Sequence, residues 1–211
     1  MEIYPAILAK DEAEFRRKVE HVRPLGLTVH VDVMDGRFVE AKTWASVDSV
    51  MSIMEDLPFH AHMMVADPEH SVPVWAVSGA ERVYFHIEST HREDLIIRSV
   101  ADCSELGITL NPDTPTLKIV PWLDRFVSVM VMGVKPGRSG QEFQSITLDK
   151  IREIKKLRPN MHVIVDGGVN PSNIVAIARS GADAVVTGSA VTDQEDPIAA
   201  VEAFERELRK L

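Results

Sequence analysis

The chain has 211 residues, 45% of them hydrophobic, and one cysteine, Cys103. It can bury one ordinary core, and it holds no internal disulfide and no site built from several thiolates. Lys and Arg number 23 against 32 Asp and Glu, a net charge of -9, which disfavours a nucleic-acid partner and requires any anionic ligand to be held by local means. No apolar run approaches the roughly 18 to 20 residues of a membrane helix. The opening MEIYPAILAKDEAEF lacks the basic start, apolar stretch and cleavage site of a secretory signal. The expectation is a cytoplasmic protein with neither a nucleic-acid nor a membrane partner.

In chain order, a strand is predicted over Glu2–Leu8 and a helix over 11–22, then Leu27–Asp32 with 46–54, Phe59–Met64 with 68–78, and Arg82–His86 with 93–106. The second half continues with Ile108–Asn111 and 116–122, Phe126–Met132 and 144–158, His162–Asp166 and 171–180, and Ala184–Thr187 and 196–210. Gly107 and Gly181 are expected to stop the fourth and seventh helices, Ser172 lies near the start of the seventh after Pro171, and Cys103 reads as a packed helix residue. The closing helix carries acidic residues early and basic ones late, in keeping with its dipole. Eight βα units of about 26 residues predict one (β/α)8 TIM barrel domain over 1–211, with a doubly wound open sheet as the alternative.

Chemistry collects where the strands end. In VHVDVMDG, period-two alternation puts His30 and Asp32 on one face and the valines on the other. FHAHMMV places His62 at a comparable position, with His60 two residues earlier on the same side, and VIVDGG ends the seventh strand on Asp166. Each could be a satisfied core group or a turn cap by itself. In a barrel the C-terminal strand ends share one rim, so His30, Asp32, His62 and Asp166 form a candidate site for one divalent ion: Zn, Fe, Mn or Co.

Three glycine-bearing segments, VKPGRSGQEF, DGGVNPSN and TGSAV, follow the last three strands. They bring Gly137, Gly140, Gly167, Gly168, Gly188 and Ser189 to the same rim, where backbone N–H groups can approach a phosphate closely.

With HVDVMDGRFV, HMMV before a proline, FHIE, LNPDTP, VKPGRSGQEF and VDGGVN in this order, the chain resembles the ribulose-phosphate 3-epimerase family over nearly its whole length. The resemblance implies a metal-dependent enzyme that interconverts D-ribulose 5-phosphate and D-xylulose 5-phosphate through an enediolate. It implies His30, Asp32, His62 and Asp166 as metal ligands, Asp32 and Asp166 as the two acid/base groups, and Met34, Met64 and Met132 lining the substrate. A phosphosugar is the expected small-molecule partner, and the oligomeric state stays open, a homo-oligomer included.

Several positions depart from the family pattern. Ala6 and Ala9 stand where PSILS has serines, Glu40 and Ala41 replace Pro-Asn, His60 replaces an aspartate, and Arg138 and Ser139 replace an aromatic and a glycine. Arg138 reads either as a contact to an anionic substrate or as an exposed loop residue. The alternatives are an epimerase for a ketohexose phosphate such as D-allulose 6-phosphate, a catalytically inactive phosphosugar-binding relative, and an aldol-type hexulose-phosphate synthase. That last class is expected to carry a different acidic and lysine motif after the second strand.

Overall fold

Alternation along each strand decides what enters the barrel and what meets the helices. The computed structural model describes residues 1–100, 104–138 and 140–211; Cys103 and Ser139 lie outside them. Its strands are β1 (Glu2–Ile7), β2 (Val29–Met34), β3 (Phe59–Met64), β4 (Arg82–His86), β5 (Glu105–Leu110), β6 (Ser128–Met132), β7 (His162–Asp166) and β8 (Ala184–Thr187). All pair in parallel in sequence order, and β8 closes on β1 through Glu2 opposite Ala184 and Tyr4 opposite Val186. Closure excludes the doubly wound sheet and establishes the TIM barrel.

The helices are α1 (Glu12–Val22), α2 (Val47–Met54), α3 (Pro68–Ala76), α4 (Glu93–Ser99), α5 (Ile146–Leu157), α6 (Ile174–Ser180) and α7 (Pro197–Leu208). Asp11 and Asp196 cap α1 and α7 by accepting backbone N–H bonds of 2.8 to 3.0 Å, each worth about 1 kcal/mol. Two packing layers result. Val29, Val31, Val83 and Phe85 point outward onto Phe15, Val19, Ile53, Ile96 and Phe204, while Tyr4, Ala6, Tyr84, Met130, Met132, Ile164 and Val186 fill the barrel interior.

Three expectations are corrected. The predicted helix over 116–122 is two 3-10 turns, Thr116–Lys118 and Val120–Trp122, because Pro121 cannot donate the bond a continuing α-helix needs. Helix α4 ends at Ser99, and β5 starts at Glu105 instead of Ile108. Gly107 is therefore no helix stop: it sits in β5 opposite Tyr84, where a Cβ would fall 2.2 Å from the Tyr84 ring. Gly181 does end α6, with φ 104°.

Candidate active site and metal centre

Strand β2 carries His30, Asp32 and Met34 inward, and its register pairs Asp32 with His62 and Met34 with Met64 on β3. Strand β7 ends on Asp166, opposite Met132 of β6. Thr43 clamps the end of β2, accepting the Met34 N–H at 2.8 Å and donating to the Asp32 carbonyl at 2.8 Å. The second aspartate of VHVDVMDG, Asp35, accepts backbone N–H groups from Arg37, Phe38 and Ala66 and so orders the loop.

His30, Asp32, His62 and Asp166 bring one potential ligand atom each to within 4.8 Å of one another. His62 Nδ1 lies 3.1 Å from Asp32 Oδ1 and 3.3 Å from Asp166 Oδ2, and His30 Nε2 lies 3.7 Å from Asp32 Oδ1. Both His30 nitrogens are buried without a hydrogen-bond partner. Burial, with the neighbouring His62 and His60, holds this imidazole well below its ordinary pKa of 6.5. It is therefore neutral and offers a free lone pair. Two carboxylates facing such a ring suit a borderline divalent ion, and the donor set fits.

The charges show the same demand. Burial pushes the Asp32 carboxyl up to about 6, with the His62 hydrogen bond opposing and the Asp166 charge reinforcing the rise. At His62 burial is outweighed by hydrogen bonds and charge from Asp166 and Asp32, and the ring is raised to about 9. Without a metal, a proton on His62 offsets one of the two carboxylate charges.

Asp32 and Asp166 line a cavity of about 230 Å³. Met34, Met64, Met132, Gly137, Gly140, Gly167, Gly168, Gly188 and Ser189 line it too, whereas His30 and His62 are fully buried. Gly168, at φ 70°, has no room for a Cβ, which would meet the Phe143 backbone at 2.8 Å. Its carbonyl is pinned by Asn170 and Asn173 at 3.2 and 2.9 Å. A Cβ at Gly188 would meet nothing within 4 Å, so that edge stays open.

The departures from the family pattern separate in space. Ala6 lines the cavity, but Ala9 packs in the outer core. His60 points into the barrel between Tyr4 and Tyr84, at ring distances of 4.9 and 5.8 Å, and stands outside the ligand cluster. Burial, with the Arg82 and His162 charges, lowers it to about 3. Arg138 is exposed and pairs with exposed Glu40 at 3.2 Å, so two departures meet each other.

Sequence reasoning missed Gln141 and Asn170 of the cavity wall. It also gave no role to His86 and Glu88, although His86 Nε2 reaches His62 Nε2 at 2.9 Å. The signal was available, since FHIE ends β4 on a histidine just as β3 carries His62 near its end.

The ribulose-phosphate 3 epimerase family model matches residues 2–192. The ribulose-phosphate 3-epimerase of Mycobacterium tuberculosis (strain ATCC 25618 / H37Rv) is 36% identical, over 97% of this chain and 92% of its own length. That of Escherichia coli (strain K12) is 32% identical, over 99% and 96%. Among solved structures, 3-hexulose-6-phosphate synthase from Salmonella typhimurium has a TM-score of 0.73 at 17% identity, covering 100% of this chain and 99% of that one, a likeness of fold. No helix among the described residues is long and apolar enough to cross a membrane. With its barrel, its cluster of two imidazoles and two carboxylates, and these relatives, the chain belongs to the ribulose-phosphate 3-epimerase family.

Proposed function

We propose that the protein is a metal-dependent epimerase that inverts C3 of a phosphorylated ketose, converting D-ribulose 5-phosphate to D-xylulose 5-phosphate. The observation that carries the reading is the meeting of Asp32 and Asp166 at one cavity, with His30 and His62 buried behind them. A C3 hydrogen beside a C2 ketone is weakly acidic, and epimerisation requires it to leave from one face and return on the other. Asp32 stands on β2 and Asp166 on β7, with β1 and β8 between them around the barrel, which supports approach from separate sides of the mouth. One carboxylate takes the proton and the other returns one, and the roles exchange with direction.

His30, Asp32, His62 and Asp166 hold the metal ion, whether Zn, Fe, Mn or Co. When bound, that ion supplies positive charge against the oxyanion that develops as the proton leaves. Met34, Met64 and Met132 keep water from the reacting carbons. Gly168, Gly188 and Ser189 present backbone N–H groups to the phosphate, with Gly137, Gly140 and Gly167 beside them.

Ala6 favours a second reading. Its methyl faces the cavity where the family pattern has a hydroxyl, which suits a bulkier ketohexose phosphate such as D-allulose 6-phosphate or a binder without turnover. The test is to offer zinc-loaded protein D-ribulose 5-phosphate, D-allulose 6-phosphate and unphosphorylated D-ribulose, and to follow products by NMR. Formation of D-xylulose 5-phosphate, with D-ribulose left unchanged, is expected. Turnover of the hexose phosphate alone moves the substrate to the second reading, equal turnover of ribulose removes the phosphate site, and no turnover of any ketose leaves the binder.

A further inference from the structure

Behind the cluster, two buried imidazoles and a half-buried carboxylate stand in line. His62 Nε2 lies 2.9 Å from His86 Nε2, His86 Nδ1 lies 3.2 Å from Glu88 Oε2, and Glu88 Oε1 accepts the Asn111 backbone N–H at 2.9 Å. The His62 and His86 rings lie within 18° of parallel with centroids 5.0 Å apart. They meet edge to edge, since face-to-face stacking would bring the centroids as close as the nitrogens. Phe38 covers His86 at 4.8 Å, and neither imidazole is exposed. One proton fits between the facing nitrogens, and the chemistry of the site depends on which ring owns it.

Glu88 settles the ownership. Burial opposes its charge, but the His86 contact and the Asn111 N–H hold the carboxyl below its ordinary value, so both oxygens act as acceptors. A bare His86 Nδ1 facing one of them would set lone pair against lone pair. His86 therefore carries its proton on Nδ1 and, as a neutral ring, accepts at Nε2. Once the extra proton shared with the carboxylates has left, His62 donates from Nε2 and keeps a lone pair on Nδ1, the nitrogen that faces Asp32 and Asp166. We propose that Glu88 and His86 are positioning residues that fix the tautomer of His62 and so present its Nδ1 to the metal ion. The usual partner of a metal-bound imidazole is a single carboxylate or carbonyl; here the carboxylate acts through a second imidazole.

The inference rests on the metal reading of His62, and the test separates the two. In Glu88→Gln the amide keeps the shape but must turn its NH2 either to the Asn111 N–H or to His86. The Asn111 donor requires the oxygen, so the NH2 faces His86 Nδ1, which moves the His86 proton to Nε2 and the His62 proton to Nδ1, where it blocks the ion. Long-range ¹H–¹⁵N NMR of zinc-loaded wild type is expected to show protons on His86 Nδ1 and His62 Nε2. Competition with a chromophoric chelator is expected to show zinc bound about 10- to 100-fold more weakly by Glu88→Gln, with an unchanged far-UV spectrum. A wild type with the His86 proton on Nε2, or a Glu88→Gln variant that binds zinc as tightly as wild type, overturns the relay while leaving the metal site standing. A wild type that binds no zinc overturns both. If Glu88→Gln fails to fold, the wild-type spectrum alone decides.

Discussion

The barrel interior holds polar groups at two levels, and they are satisfied differently. Toward the base, Arg82 binds Glu105 at 2.5 and 3.0 Å and Tyr84 at 3.1 Å, Tyr84 donates to Ser128 at 3.2 Å, and Ser128 donates to the His162 carbonyl at 3.0 Å. Each donor there meets an acceptor. At the mouth, His30 has no partner at either nitrogen and two carboxylates converge on one His62 nitrogen. Groups that satisfy one another hold a fold together; groups left with converging lone pairs are arranged for a ligand. His60, between the two levels, has an unpartnered Nδ1, and its lowered pKa keeps it an uncharged filler.

The largest expected effect of breaking this contrast is at the mouth. In the proposed mechanism Asp166→Asn removes a proton carrier from one face of the substrate, and it is expected to lower net epimerisation by about 10²- to 10⁴-fold, with zinc content measured alongside so that metal loss is separated from proton transfer. A zinc-loaded variant that epimerises at the wild-type rate contradicts the role given to Asp166.

Metal binding carries a pH signature of the same cluster. The extra proton on metal-free His62 persists to about pH 9 and must leave when a cation enters. Apparent zinc affinity should therefore rise about tenfold per pH unit below that value and level off above it. Below about pH 6, where Asp32 also takes up a proton, the slope should steepen. Calorimetric titration at several pH values checks this, and an affinity flat between pH 6 and 9 removes the shared proton from the account.

At the base the effect is on stability. Tyr84→Phe deletes the hydroxyl that links Arg82 to Ser128 and should cost about 1 kcal/mol in urea unfolding, with zinc affinity unchanged. A fall in zinc affinity would show that the two levels are coupled.

The smallest change concerns Ala6. A serine there adds one cavity-facing hydroxyl and should raise kcat/KM about two- to tenfold, whereas Ala9→Ser, in the outer core, should leave kinetics unaltered. Equal effects at both positions would contradict the separation of Ala6 from Ala9.

Strand-end chemistry was legible because alternation is strict: once His30, Asp32, His62 and Asp166 are assigned to strands, closure of the barrel brings them together. The fourth and fifth helices were less legible. Gly107 after a helical run reads as a cap, and only the Tyr84 ring across the sheet explains it. The 116–122 run reads as a helix, but Pro121, inside the second 3-10 turn, cannot donate the bond that would carry one α-helix through it. The position of His86 at the end of β4 was legible from FHIE, but its role was not, because that depends on which nitrogen faces which across β3 and β4. Two alanines replacing two serines look alike in sequence and differ by the face of the chain each occupies.

The central claim is that Asp32 and Asp166, with a metal ion, move the C3 proton of a ketose phosphate. Its most direct test is deuterium wash-in at C3 of D-ribulose 5-phosphate, followed by NMR in D₂O with zinc-loaded wild type. Deuterium should enter C3 of both the ribulose and xylulose phosphates, and the wash-in should be lost when a chelator removes the zinc. Protein shown to be fully loaded that leaves C3 protonated over many hours, with substrate bound, would contradict the account.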